Sequence, residues 1–302
     1  MTILEEIIDR YPSKSWNWNR LSTNPAISFN FILDHPSFQW DTRGVSMNAS
    51  IHENDILAMR NYAWNLDGLC FNPNLGYQFY LRFMINPVEV FHINWVALSS
   101  NPSITTLDII ENAQQPWEDI FLSANPNMTS TFILNEGRNR KWYPPSVWAN
   151  PGIQERDILK GSLTAIIEYN YRGLSSNKNL PMVYVNDNME HGWNFNSIST
   201  NATMHDVEQF RKIAWDADGL SMNKNISFDY VLSHDIKWNV RSLLTVVNAE
   251  IIIDNIDWFK QQLDPSERVE TYMSSNNSIT IEWIDEHKDF IDWERLSNNQ
   301  LV

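Results

Sequence analysis

The sequence predicts an all-α protein, a solenoid of about twelve short helical-pair repeats of ~24 residues each. Three observations carry that expectation. Trp16, Trp40 and Trp64 stand 24 residues apart. A phrase recurs around them, clearest as Trp16-Asn17-Trp18-Asn19-Arg20-Leu21-Ser22-Thr23-Asn24-Pro25-Ala26-Ile27-Ser28, and again at Asn94–Thr105 and Trp117–Thr129. Each phrase is followed by aliphatics at helical three-and-four spacing, in a chain with only nine glycines. A β-solenoid is the rival for such a period. It predicts period-two alternation and glycine-rich turns, and both the spacing and the scarce glycine count against it.

With Leu21 as anchor, the same position returns at Val45, Leu69, Leu98, Leu122, Val147, Leu174, Ile198, Leu220, Leu243, Met273 and Leu296. The steps are 24, 24, 29, 24, 25, 27, 24, 22, 23, 30 and 23 residues, and the copy at Leu243 is the most degenerate. An aromatic precedes most anchors by five or three residues, as at Trp142, Tyr169, Trp193, Trp215, Trp238 and Trp293. These spacings put the aromatic and the anchor on one face of a short helix A, read as Trp16–Ser22 in the first copy. Asn24-Pro25 then ends it, because Asn followed by Pro favours a type I turn and Pro cannot continue a helix.

A second helix, B, begins at an aliphatic followed by Ser or Thr, with another aliphatic five residues beyond the first. Examples are Ile27-Ser28 with Ile32, Ile104-Thr105 with Ile109, Met128-Thr129 with Ile133, Ile226-Ser227 with Val231, and Ile279-Thr280 with Ile284. The hydroxyl suits an N-cap and the aliphatic pair suits a hydrophobic staple. His52, Gly76, Gln154, Pro181 and His205 take the capping place in weaker copies, where the helix start is expected to be less firmly fixed. Helices this short bury no core alone, so stacking of units supplies it.

The chain begins and ends in phase. Ile3–Ser13 matches Ile27–Ser37, with Ile7, Ile8 and Pro12 under Phe31, Ile32 and Pro36. Asp292–Asn298 reads as the first half of a unit. Residues 1–302 are therefore expected to form one array with a half-repeat at each end.

Hydrophobic residues make up 43% of the chain, enough for a core, and the formal net charge is -15. That acidity argues against nucleic acid and anionic membrane as partners, and a small molecule is not expected either. Cys70 is the only cysteine, so no internal disulfide forms. Glu5, Glu6 and Asp9 interrupt the opening segment, unlike a signal peptide, and no apolar stretch approaches ~20 residues. The secretory route is therefore not expected. The five sequons, at Asn48, Asn127, Asn201, Asn225 and Asn276, are assigned to one place in the repeat and not to glycosylation.

The phrase Trp-Asn-Trp-x-x-Leu-Ser-x-Asn-Pro-x-Ile-Ser, followed by an aliphatic helix and His35-Pro36, resembles a repeat present in many copies in proteins of giant nucleocytoplasmic DNA viruses. The similarity runs over essentially the full chain, most specific at Trp16–Pro36, Trp95–Thr105 and Trp117–Thr129 and weakest between Leu243 and Val269. The richness in Asn and Ile also fits an AT-rich genome. The resemblance implies a viral origin, an interaction role and a location in the virion or host cytoplasm. It brings no enzymatic activity and no functional residues.

Each chemically suggestive residue has a repeat explanation. Asp216-Ala217-Asp218-Gly219 opens like a calcium loop but copies Asp67-Gly68-Leu69 of an earlier unit. The histidines, at 35, 52, 92, 191, 205, 234 and 287, lack a paired metal-ligand spacing, and His35 and His234 hold equivalent places. Cys70 follows an anchor where Ser22, Ser99 and Ser123 stand, so it reads as a small packed residue. The run Asp285–Asp289 reads as a solvated helix end. The tryptophans read as core, with Trp18, Tyr171 and Phe195 the aromatics most open to exposure and hence to stacking a ligand. No catalytic, cofactor-binding or metal-ligating residue is assigned. The expected function is a non-enzymatic scaffold for a viral or host protein partner, with a structural component of the virus particle as the alternative.

Overall fold

A computed structural model describes residues 1–84, 93–135 and 140–301. Among the described residues the chain is all-α, with 25 short helices and no strand. The helices alternate as the repeat predicts. Twelve are A helices, each carrying one anchor, and twelve are B helices. The remaining helix, Ile256–Gln262, has no counterpart among the described residues. The chain divides into two compact units, one comprising Met1–Asn65 and Ala217–Val302, the other Leu66–Asp216.

The anchors are core in both units: all twelve are at most 2% exposed. The five strong B-helix caps also form. The hydroxyls of Ser28, Thr105, Thr129, Ser227 and Thr280 each accept the backbone N–H three residues on. Two of the weak starts are capped from the other side, where Asp55 and Asp157 accept the N–H of His52 and Gln154. His205 is not a cap. Thr203 caps that helix, Met204–Gln209, because the preceding A helix runs on through Asn201 and the turn between them shortens.

The A helices start later than expected. The first is Trp18–Thr23, not Trp16–Ser22, because the Asn17 side chain accepts the Arg20 N–H and holds residue 17 extended. Asp41, Asn94, Asn170, Asn194, Asn239 and Asp292 cap their helices likewise. Trp16 is thus no helix residue but a strut. Its indole N–H donates to the Tyr11 carbonyl at the end of the preceding B helix, as Trp40 does to His35, Trp64 to Met59, Trp117 to Asn112 and Trp193 to Asn188.

Two polar ladders join consecutive units. Nine anchors are followed by serine, at 22, 46, 99, 123, 175, 199, 221, 274 and 297, and every one is buried. Each Oγ accepts the backbone N–H of the next unit's A-helix cap residue, as Ser22 does from Asp41 and Ser123 from Tyr143, both at 2.9 Å. The asparagine three residues after the anchor forms the second ladder. Asn48 Nδ2 donates to the Ser22 and Asn24 carbonyls at 3.0 and 2.8 Å, and Asn125 Nδ2 to those of Ser99 and Asn101 at 3.0 and 2.9 Å. Its Oδ1 accepts the N–H two residues on, as Asn48 does from Ser50. A short helix leaves its last carbonyls without partners, and the next unit's amide supplies them. The sequons therefore split: Asn48 and Asn276 are buried ladder residues, whereas Asn127 and Asn225 lie two positions later. Asn201 sits inside its helix and donates to Ser197.

In the unit formed by Met1–Asn65 and Ala217–Val302, the terminal half-repeats obey the same rules against each other. Asn17 N–H donates to Ser297 Oγ at 2.9 Å, and Leu4 N–H to the Leu301 carbonyl at 3.3 Å. Trp16 and Trp293 meet edge to face at 5.1 Å. Thr2 caps the first helix, Ile3–Arg10, whose Leu4, Ile7 and Ile8 are fully buried. Asp285 is more than a solvated helix end, since it binds Arg10 and accepts the Tyr11 hydroxyl at 2.7 Å.

The ladders fail once within this unit. After the Leu243 anchor, Leu244 stands in the serine place, and the A helix runs one residue further so that Val247 takes the asparagine's place at its C-cap. There the inserted helix Ile256–Gln262 follows the B helix Ala249–Asp254, which accounts for the step of 30 residues.

Candidate functional site

The residues with suggestive chemistry are used up by the repeat. Cys70 is fully buried in the serine place, and burial pushes its thiol up to about 11, while its sulfur takes the Asn94 backbone N–H as the ladder serines do. A thiol so placed is protonated at neutral pH and shielded, the opposite of an activated nucleophile. Asp218 accepts Asn239 Nδ2 at 3.0 Å, as Asp67 accepts Asn94 Nδ2 at 3.5 Å, and Asp216 accepts Asn196 Nδ2 at 2.8 Å. These aspartates brace neighbouring A helices.

His35, His234 and His287 are equivalent turn residues. Each Nδ1 lies 2.8–3.0 Å from the carbonyl four residues back, and each ring packs on the aromatic side chain there. Asn112 and Asn188 make the same bond from the same place. His52 and His205 are exposed and His191 stacks on Tyr171 at 4.0 Å, whereas His92 lies outside the described residues. Among the described residues no group of three or more His, Cys, Asp or Glu could hold a metal ion. No described helix is long and apolar enough to cross a membrane.

Trp18, Tyr171 and Phe195 are half-buried, as expected. Two of them have a structural duty. Trp18 meets Trp40 edge to face at 5.2 Å and Tyr171 meets Trp193 at 5.0 Å, matching Trp95 with Trp117 at 5.1 Å. Each pair links one unit to the next, so these rings serve packing before any ligand.

What the repeat leaves unused is apolar surface on the B helices. The position twelve residues after the anchor follows a buried residue, Tyr80, Ile109, Ile133 or Ile158 in the repeats below, and points away from it. In the Leu66–Asp216 unit four consecutive repeats place Leu81, Ile110, Leu134 and Leu159 there. Leu81 and Leu134 are half-buried, whereas Ile110 is 45% and Leu159 50% exposed. Leu107, one turn before Ile110, is 59% exposed and widens the stripe. Sequence reading passed over this position because a helix with three-and-four spacing was credited wholly to the core.

In the other unit a groove of about 580 Å³ opens between the B helix Phe228–Ser233 and the irregular repeat. Ile226, Phe228, Leu243 and Val247, all at most 8% exposed, form its floor, and Leu232 and Ile251 stand at its rim, 48% and 40% exposed. Val247 stands where the ladder amide would, and Val246 lines the groove beside it. The inserted helix backs it, with Phe259 stacked on Phe228 at 5.2 Å and Trp258 edge-on at 5.4 Å. Among its lining residues Lys224, Asp229 and Asp254 are charged and exposed.

Fold and surface together define a helical-pair repeat protein whose spare chemistry is apolar surface. No protein-family description, curated protein or solved structure matches the chain.

Proposed function

We propose that this chain is a non-enzymatic protein–protein interaction scaffold of a large DNA virus. The observation that carries the interaction role is the aliphatic residue repeated in phase on four consecutive B helices, of which Ile110 and Leu159 are open. Random surface leucines need no explanation, but a file of them at one repeat position is a surface a partner can read unit by unit. The viral origin rests on the Trp/Leu-Ser-x-Asn-Pro resemblance. The partner is a protein of viral or host origin, and the acidic chain favours one that is basic or neutral.

A photo-crosslinking residue at Leu159, with one at exposed Lys178 as control, tests this reading in infected-cell extract and in purified particles. A scaffold yields one defined adduct from position 159 and none from 178. Adducts of equal yield from both positions, or none from either, would sink the proposal. A defined adduct obtained only within particles, at fixed stoichiometry, would instead identify a virion component.

A further inference from the structure

The groove beside the irregular repeat is the second place where this chain abandons its own rule in favour of open apolar surface. Resting on the scaffold reading, we infer that this groove binds an apolar side chain carried on a cationic, Lys- or Arg-flanked segment of the partner protein.

Three features converge there. Val247 caps its A helix where an asparagine elsewhere draws consecutive units together, so with Val246 beside it an apolar wall stands where an amide would. The inserted helix then supports that wall from behind through Phe259 and Trp258 against Phe228. The inserted helix is extra chain that no other described repeat carries, and exceptions to local consistency concentrate at functional sites. The floor is apolar and shaped, and Leu232 and Ile251 at the rim leave it open to solvent. That geometry takes in a bulky aliphatic or aromatic side chain.

Charge selects the flanking chemistry. The carboxylates of Asp229 and Asp254 at the groove have no ion-pair partner among the described residues, and Lys224 is the only cation of the lining. Glu250 and Asp257 add exposed negative charge on either side of Ile251 and Asp254. Residues 217–302 hold fifteen acidic against seven basic side chains, a formal -8 of the chain's -15. A cationic segment meets complementary potential here, and an acidic one meets repulsion.

The test uses the full chain and a fluorescein-labelled synthetic amphipathic helix with leucines at every third and fourth position and lysines elsewhere. Its counterpart has glutamate in place of each lysine. Fluorescence anisotropy should show binding of the lysine peptide that weakens as salt rises, and no binding of the glutamate peptide. Leu232→Ser and Ile251→Ser should each weaken it about tenfold or more, as loss of a central apolar contact does. Asp229→Asn should weaken it less and flatten its salt dependence. Leu159→Ser, on the other unit, should leave it unchanged. Both rim residues are substantially exposed, and circular dichroism of each variant confirms the fold.

Equal binding of the two peptides, or an affinity indifferent to Leu232→Ser and Ile251→Ser, overturns the groove. If the Leu159 adduct persists while the groove fails, the scaffold reading stands without it. If the Leu159 adduct is absent while peptide binding follows the groove variants, the groove binds but the scaffold reading falls.

Discussion

Asn24 Nδ2 donates to the carbonyls of Ser297 and Asn299 at 3.0 and 2.7 Å, the same pair of bonds that Asn48 makes to Ser22 and Asn24. The first full repeat thus treats the last half-repeat as its predecessor, although 273 residues separate Asn24 from Ser297 in the chain. If this junction is as firm as an interior one, Asn24→Ala and Asn125→Ala should cost similar stability. Asn24→Ala removes two bonds to buried carbonyls, and Asn125→Ala removes the equivalent two and a longer one to Ile104 at 3.3 Å, which predicts a loss of about 2–4 kcal/mol in each case. Denaturant unfolding of the two variants measures it. A loss at Asn125 with none at Asn24 would mean that the terminal half-repeats part in solution.

The serine ladder makes a prediction of opposite sign for two adjacent chemistries. Ser123→Ala leaves the part-buried Tyr143 N–H without its acceptor and should cost about 0.5–1.5 kcal/mol. Cys70→Ser instead installs the better acceptor at an equivalent place, so stability should change by less than ~1 kcal/mol or rise. Native Cys70, fully buried with its thiol pushed up to about 11, should resist thiol reagents until the protein unfolds. Rapid labelling of the folded protein would contradict the ladder assignment.

The period, the anchors and the strong caps were legible in the sequence because their causes are local. A hydroxyl three residues before the amide it caps, or an aliphatic on a helix face, acts within a few residues, and Ser28 and Leu21 follow such rules. The ladders were not legible. Ser22 read as a small residue and Asn24 as a turn former, since the partners that explain them lie one unit away at Asp41 and Asn48. The recurrence of both types at fixed phase was the available signal. Trp16 was misplaced on a helix because two structures compete for residue 17, and the Asn17 side chain decides in favour of a later start. The groove was visible only as a long step and a weak copy between Leu243 and Met273. Neither says whether the extra residues form a loop or a helix backing an apolar wall.

Acid should weaken the irregular repeat. Arg241 Nε and Nη2 lie 2.7 and 2.8 Å from the Glu267 carboxylate, and the Tyr272 hydroxyl also donates to it. The Arg241 hydrogen bond, then that of Tyr272, holds the Glu267 carboxyl down to about 2 from an ordinary 4.5. A carboxyl lowered in the folded state stabilises it fully above the unfolded value of 4.5, and that contribution fades as pH falls toward about 2. The site is solvent-exposed, so the effect is small in absolute size. Glu267→Gln should therefore lower the melting temperature at neutral pH and converge on the wild type near pH 2. A difference that stays constant across that range would show that the triad contributes nothing through its charge.

Two glycines test how closely the units are packed. A Cβ on Gly173 would lie 2.3 Å from the Pro145 carbonyl oxygen and 2.9 Å from Pro145 Cα, backbone that cannot swing aside. The approach is this close where Trp148 replaces the ladder serine and reaches instead to the Glu168 carbonyl at 2.8 Å, with Tyr169 stacked on it at 4.5 Å. Gly173→Ala must therefore push the helix Tyr171–Leu174 away from Pro144–Ala149, at a cost of about 1–3 kcal/mol. A Cβ on Gly76 would meet nothing within 4 Å, and Gly76 holds the place where Ser28 caps a B helix. Gly76→Ser should supply the missing cap and stabilise by a few tenths up to ~1 kcal/mol. Thermal unfolding of both variants reads the contrast. If Gly173→Ala melts with the wild type, the two A helices do not approach as closely as this packing requires. If Gly76→Ser destabilises, position 76 is not a B-helix cap.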